Sequence, residues 1–117
     1  MEFKEYQEKA GRTLAQLVNP ITNELHMVLG MVTESAELAD VYKKHIAYGK
    51  DLDDVNLQEE IGDLLWYIAN LATLKGWDIS RIMSTNISKL QARYPEKFTN
   101  EHAINRDLIV ERQILEQ

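Results

Sequence analysis

The spacing of helix-breaking residues is the feature that most constrains the fold of this chain. Its 117 residues include only two prolines and five glycines. Between them lie segments in which apolar residues recur at the helical period. No segment alternates apolar and polar residues as a half-buried strand would. The pattern predicts an all-α fold, most simply a four-helix bundle followed by a C-terminal tail.

The positions of these breaks predict where each helix begins and ends. The first helix is expected over residues 2–18, the second over 23–46, the third over 55–75, and the fourth from residue 78 to just before Pro95. The tail, residues 96–117, is charged and is expected to contain one short helix over 104–115. No linker composition interrupts the chain, so residues 1–117 are expected to form one domain with its core over 2–95.

Composition and charge exclude several classes of protein. With 19 acidic and 13 basic residues, the chain has a net charge of −6, which argues against a non-specific nucleic-acid binder because such proteins present a basic face. It has no cysteine, and therefore no disulfide or thiolate metal site. No apolar run reaches the ~20 residues of a membrane span, and the charged start does not read as a signal peptide. We expect a cytoplasmic protein without membrane contact.

Two predicted helices carry apolar residues on more than one face. The helix over 23–46 is apolar on two sides, one with Leu25, Val28, Leu29, Val32, Ala36 and Ala39, the other with Met27, Met31, Leu38 and Val41. The helix over 55–75 also has apolar residues off its main stripe. A helix that is apolar nearly all round is buried on more than one face. In so short a chain this pattern predicts a second subunit.

Four carboxylates on these two helices have no basic residue three or four positions away. Glu34 and Glu37 lie one turn apart on the first of them, and Glu60 and Asp63 lie one turn apart on the other. Acidic residues on a solvated helix often have basic neighbours at that spacing, and unpaired carboxylates in apolar surroundings repel one another. A hard divalent cation such as Mg²⁺ would neutralise them. A solvated helix face would explain the same spacing, and the residues alone leave both interpretations open.

The motifs that contain these acids also resemble those of a known protein family. Glu34-x-x-Glu37 followed by Glu60-x-x-Asp63 resembles the signature of the MazG family of all-α nucleoside triphosphate pyrophosphohydrolases, which includes the dimeric dUTPases and the dCTP pyrophosphatases. The stretches "ESAELAD", "EEIGDLLWYIANLA" and "NISKLQARYPEKF" are similar to segments of that family, over residues 25–98. The resemblance implies a MazG-like helical domain that assembles as a homodimer or homotetramer.

The activity that the resemblance implies is hydrolysis of a nucleoside or deoxynucleoside triphosphate to the monophosphate and pyrophosphate. The catalytic metal ligands would be Glu34, Glu37, Glu60 and Asp63, holding Mg²⁺ with Mn²⁺ as a possible substitute. On the fourth helix the family-like phosphate contacts would be Asn86 and Lys89, which share one face with Arg93. Arg93 would either join them or close the end of the helix.

Two non-enzymatic functions are compatible with the same fold. One is a helical interaction protein without catalysis, and the other is a regulator that senses nucleotides without turning them over. The presence of all four acids favours the enzyme, because a retired site would be free to lose them. The sequence leaves open the preferred base and sugar, the general base among the acids, the choice between dimer and tetramer, and the role of the tail.

Overall fold

The computed structural model describes residues 1–117 and contains six α-helices and no strand, which confirms the predicted all-α class. None of these helices is long and apolar enough to cross a membrane. In chain order they are α1 (Phe3–Gly11), α2 (Pro20–Tyr48), α3 (Asp54–Lys75), α4 (Ile79–Arg93), α5 (Asn100–Ile104) and α6 (Leu108–Glu116).

Capping residues explain the bounds of the two longest helices. Asn19 caps α2 through its side chain, with Pro20 in the first turn, where proline loses no hydrogen bond. Asp53 caps α3 in the same way. Both helices end at a glycine in the left-handed region, Gly49 with φ 65° and Gly76 with φ 71°, a conformation that glycine adopts without strain.

The first helix is shorter than predicted, since it ends at Gly11 rather than at residue 18. The residues that follow make hydrogen bonds to other parts of the chain. The Thr13 hydroxyl accepts a hydrogen bond from the Trp66 indole nitrogen at 2.9 Å, and the Leu17 N–H donates to Asn23 Oδ1 at 2.6 Å. The predicted extension to residue 18 is therefore wrong. The helical period alone does not reveal a bond to a residue as remote in sequence as Trp66.

The tail also differs from the prediction. Two short helices, α5 and α6, replace the single one expected over residues 104–115. The break has a local cause, because the Asp107 side chain accepts a hydrogen bond from the Val110 N–H and so caps α6. A new N-cap begins a new helix.

Residues Met1–Trp77 form one compact unit, in which α3 packs against both α1 and α2. Several polar side chains join α1 to α3. Tyr6 donates from its hydroxyl to the Gly62 carbonyl at 3.3 Å, and the fully buried Asn70 donates from Nδ2 to the Ala10 carbonyl at 3.3 Å. These bonds fix the side of α3 that faces α1.

The two apolar sides of α2 have different surroundings within this unit. Met27 and Val41, on one side, are buried in the core. The opposite side is exposed over three turns, and its exposed residues are Ile21, Leu25, Val28, Leu29 and Val32. We call these five residues the α2 stripe. Each of them is at least 42% exposed.

Residues Asp78–Gln117 form a second compact unit, in which α4 packs against α6. At its centre, the buried Glu111 carboxylate accepts hydrogen bonds from Arg93 Nε at 2.7 Å and from Arg106 Nη2 at 2.6 Å. These two guanidinium groups lower the pKa of Glu111 to about 2. Two cations therefore hold one carboxylate in its charged form.

Candidate metal centre

Three of the four predicted carboxylates converge where α2 packs against α3. Each of Glu34, Glu60 and Asp63 offers a carboxylate oxygen, and the three oxygens lie within 4.8 Å of one another. Glu34 and Glu60 are half-buried, whereas Asp63 is exposed. Because Glu60 and Asp63 are one helical turn apart, both can face the single carboxylate on the neighbouring helix. The cluster therefore joins two helices at one point.

The neighbouring acids and burial together raise the pKa of Glu60. A hydrogen bond with Glu34 makes the largest contribution to its raised pKa, followed by burial and by the negative charges of Glu34, Glu37 and Asp63. A carboxylate acquires a raised pKa when its charged form lacks a positive partner. The cluster is thus an uncompensated concentration of negative charge.

Glu37 lies outside the group of three that the oxygen distances define. It is exposed on the next turn of α2. It is nevertheless close enough for its charge to raise the pKa of Glu60 and of Lys44. The structure thus places Glu37 at the edge of the cluster, on the side nearer the C-terminal end of α2.

No basic side chain neutralises the cluster. None of the four acids takes part in an ion pair, whereas Lys43 and Lys44 of α2 both pair with Asp40, at 3.5 and 3.0 Å. The lysines nearest in sequence are therefore engaged with a different carboxylate, as the spacing of Asp40 suggests.

The donor set of the cluster fits a hard divalent cation. It consists of carboxylate oxygens alone, and the chain has no cysteine to bind a softer metal. Mg²⁺, Mn²⁺ and Ca²⁺ prefer such ligands. A cation at this point would also relieve the repulsion that raises the pKa of Glu60. Both observations identify the cluster as a candidate metal centre.

A glycine allows the two helices to approach beside the cluster. Gly30 is buried one turn before Glu34, and a Cβ atom at this position would lie 2.1 Å from Cε1 of Tyr67. The Tyr67 ring thus occupies the space that any other side chain would need. Sequence reasoning did not identify this contact, although a glycine in the middle of a strongly helical segment is a recognised signal of close packing.

Two clefts of different chemistry lie beside the carboxylates. The first, which we call the apolar cleft, has a volume of about 180 Å³ and is lined by Met1, Phe3, Tyr6 and Leu65. The second, which we call the loop cleft, has a volume of about 240 Å³ and is lined by Val41, Lys44, Lys50, Asp51, Asp53 and Asn56. The Tyr6 hydroxyl in the apolar cleft has a raised pKa because of burial and the nearby charge of Asp63.

The three residues predicted on the fourth helix all lie on α4, in the unit Asp78–Gln117. Asn86 is exposed and Lys89 is half-buried. Arg93 is engaged with Glu111 through two hydrogen bonds, at 2.7 and 3.2 Å, and its guanidinium lies 5.6 Å from the centre of the Tyr94 ring. These contacts join the last turn of α4 to Glu111 of α6.

Comparison with known proteins places these residues in a family context. Residues 22–98 match the MazG nucleotide pyrophosphohydrolase domain, a range that includes the four carboxylates and the predicted residues of α4. The Gene 37 protein of Mycobacterium phage L5 is 35% identical over 75 residues, an alignment covering 58% of this chain and 63% of the phage protein. The chain therefore spans less than two thirds of that relative. No solved structure matches it.

Proposed function

This chain belongs to the MazG nucleotide pyrophosphohydrolase family, and we propose that it is a Mg²⁺-dependent enzyme that hydrolyses a nucleoside or deoxynucleoside triphosphate to the monophosphate and pyrophosphate. The observation that carries this proposal is the convergence of Glu34, Glu60 and Asp63, with oxygens within 4.8 Å of one another and no basic partner. A site of this composition is suited to a metal ion that is shared with phosphate oxygens.

The proposed ligands are Glu34, Glu60 and Asp63, with Glu37 joining from the next turn of α2. When bound, the metal would lower the pKa of a water molecule and neutralise the charge that develops on the leaving pyrophosphate. The protein's contribution is to hold the carboxylates at a fixed separation on two packed helices. The Gly30–Tyr67 contact maintains that separation, because it sets how closely α2 and α3 approach beside the cluster.

We assign the nucleoside end of the substrate to the apolar cleft. Its lining includes two aromatic rings, Phe3 and Tyr6, and aromatic side chains suit a planar base. Tyr6 also links this cleft to the carboxylates, because its hydroxyl donates to the carbonyl of Gly62, the residue before Asp63. A base in this cleft would lie beside the proposed metal ligands.

On α4, Asn86 and Lys89 are the proposed phosphate contacts. An amide and an ammonium group can both donate hydrogen bonds to phosphate oxygens. Arg93 is the third member of the predicted set, and it pairs with Glu111 of α6 at 2.7 Å. We propose that it supports the other two by holding α4 against α6.

We further propose that α1 to α4 belong to a single four-helix domain and that two or more copies assemble. The family match, residues 22–98, extends across the boundary between the two compact units at residues 77 and 78, which supports one domain. The exposed α2 stripe supports assembly, because a contiguous apolar surface of this kind usually marks an interface. A second copy would cover it and give a dimer, or a tetramer if further surfaces pair.

Release of pyrophosphate from a panel of ribo- and deoxyribonucleoside triphosphates, with and without Mg²⁺, tests the proposed activity. We expect at least one substrate to yield equal amounts of monophosphate and pyrophosphate, only in the presence of the metal. Nucleotide binding without product would instead support a sensing role, and neither binding nor product would support an interaction protein.

A further inference from the structure

The loop cleft lies where α2 ends and α3 begins. Val41 and Lys44 contribute from the last turns of α2, Asn56 from the first turn of α3, and Lys50, Asp51 and Asp53 from the connection between them. The connection is held in place by hydrogen bonds, since the Lys50 carbonyl lies 2.6 Å from Nδ1 of His45. The cleft is therefore a defined feature of the turn between the two helices that carry the carboxylates.

This cleft adjoins the carboxylate cluster. Glu37 is one turn before Val41 on α2, and Glu37 contributes to the raised pKa of Lys44, after the larger effect of Asp40. On α3, when the side-chain amide of Asn56 is turned so that its nitrogen faces the acids, this nitrogen lies 3.3 Å from both Oε2 of Glu59 and Oε1 of Glu60. Residues that line the loop cleft therefore lie close to carboxylates on both helices.

The loop cleft carries both positive and negative charges, and only some of these groups already have a partner. Lys44 is paired with Asp40 at 3.0 Å and remains half exposed. Asp53 accepts a hydrogen bond from the Asn56 N–H as the cap of α3. Lys50 and Asp51 take part in no ion pair. One free ammonium and one free carboxylate therefore remain to meet a ligand.

A ligand that carries both signs suits such a cleft better than a bare anion. A phosphate group chelated to a divalent cation has this property, because the ammonium group can donate to phosphate oxygens while the carboxylate faces the hydrated metal. The apolar cleft has the opposite character, with aromatic and aliphatic lining. The two ends of a nucleoside triphosphate match these two clefts, because its base is aromatic and its phosphate chain is polyanionic.

We propose that the loop cleft binds the distal phosphates of the substrate, the part that leaves as pyrophosphate, and that Lys50 is their principal charged contact from this unit. The inference rests on the proposed function, and it fixes the direction of the substrate across the carboxylates. The phosphate chain extends past Glu37 and Glu60 toward the turn between α2 and α3, while the nucleoside lies toward Tyr6.

Product binding tests this orientation, because the two products occupy different ends of the site. Lys50→Ala is compared with Lys43→Ala, a matched control on α2 whose lysine lies outside the cleft and is 65% exposed. Inorganic pyrophosphate in the presence of Mg²⁺ is titrated calorimetrically into each protein, and both products are assayed as inhibitors. We expect Lys50→Ala to weaken pyrophosphate binding and raise the KM for the triphosphate roughly tenfold, as for loss of one charge-assisted hydrogen bond. Inhibition by the monophosphate and the kcat should change little, and Lys50→Arg should restore most of the affinity.

Unchanged pyrophosphate affinity in Lys50→Ala would overturn the inference. Weakened monophosphate inhibition with normal pyrophosphate affinity would also overturn it and would assign the loop cleft to the nucleoside. The calorimetric titration does not depend on turnover. A wild-type protein that binds pyrophosphate through Lys50 but hydrolyses no triphosphate would therefore refute the proposed activity and leave the cleft assignment standing.

Discussion

A carboxylate oxygen of Glu34 on α2 lies within 4.8 Å of a carboxylate oxygen of Glu60 on α3. The interaction with Glu34 is the largest cause of the raised pKa of Glu60. Two carboxylates this close repel one another unless a positive charge lies between them. A divalent cation bound at this point would neutralise both.

The first prediction is that Mg²⁺ or Mn²⁺ stabilises the folded protein. Binding to the folded state alone contributes about 2.7 kcal/mol at a hundredfold excess over the dissociation constant. Melting temperatures measured in chelator and in millimolar metal should therefore differ by several degrees. Asp63→Asn, which removes one ligand charge, should lose most of this difference. A melting curve that does not respond to either metal would contradict the proposed centre.

The second prediction concerns two glycines that sit near the carboxylates. Gly30→Ala should destabilise the protein by about 1–3 kcal/mol, because the added methyl group would displace the Tyr67 ring and overpack the helix contact. Gly62→Ala is the matched control, since no atom other than those of its chain neighbours and of its own helix backbone lies within 4 Å of its Cβ position. It should be neutral or stabilising by up to about 1 kcal/mol, the difference in helix propensity. If chemical denaturation gives the same change in the free energy of unfolding for Gly30→Ala and Gly62→Ala, then Tyr67 does not limit the approach of α2 and α3.

The third prediction concerns how the ion pairs of Glu111 with Arg93 and Arg106 contribute to stability as the pH changes. The pKa of Glu111 is lowered from 4.5 to about 2 in the folded chain, so its contribution to stability is present above pH 4.5 and is lost as the pH falls toward 2. Glu111→Gln should lower the melting temperature at pH 7 by several degrees, because it leaves two guanidinium groups without their carboxylate. The gap between variant and wild type should narrow as the pH falls from 5 to 3. A difference in melting temperature that stays constant over this range would show that the pairing of Glu111 with Arg93 and Arg106 is not its cause.

The fourth prediction is about assembly through the α2 stripe. Val28→Lys places a charge in the middle of this exposed apolar surface, where it would have to be desolvated in an interface. Light scattering at micromolar concentration should show an oligomer for the wild type and a shift toward the 13.6 kDa monomer for the variant. Val55→Lys, at a residue 77% exposed outside the stripe, serves as the control. A folded wild-type monomer would contradict the proposal.

Helices α2 to α4 could be predicted from sequence because their signals are local. The apolar period, the proline at position 20 and the glycines at 49 and 76 determine these helices nearly to their ends. The first helix and the tail could not be predicted as well. The first helix ends before Thr13, whose hydroxyl accepts a hydrogen bond from the Trp66 indole. Asp107 caps a new helix within a segment whose apolar period is continuous.

The candidate site was only partly predictable for a related reason. Unpartnered acids on α2 and α3 are visible in the sequence, but their convergence depends on which apolar side of α2 faces the core. Both sides have similar composition, and the structure buries Met27 and exposes Val28. The signal that distinguishes them is Gly30, which allows the close contact on that side. Likewise, nothing local indicates that Arg93 pairs with Glu111 in the tail.

The proposed metal-dependent hydrolysis is tested most directly by comparing product formation by the wild type, Asp63→Asn and Glu5→Gln with Mg²⁺ and a triphosphate substrate. Glu5 belongs to an exposed ion pair with Lys9, a kind of pair worth only ~0.3–0.5 kcal/mol, so Glu5→Gln should match the wild type. We expect the wild type to release monophosphate and pyrophosphate in equal amounts, and Asp63→Asn, although folded, to be slower by orders of magnitude. Wild-type rates in folded Asp63→Asn, or no product from any triphosphate with Mg²⁺ or Mn²⁺, would contradict this proposal.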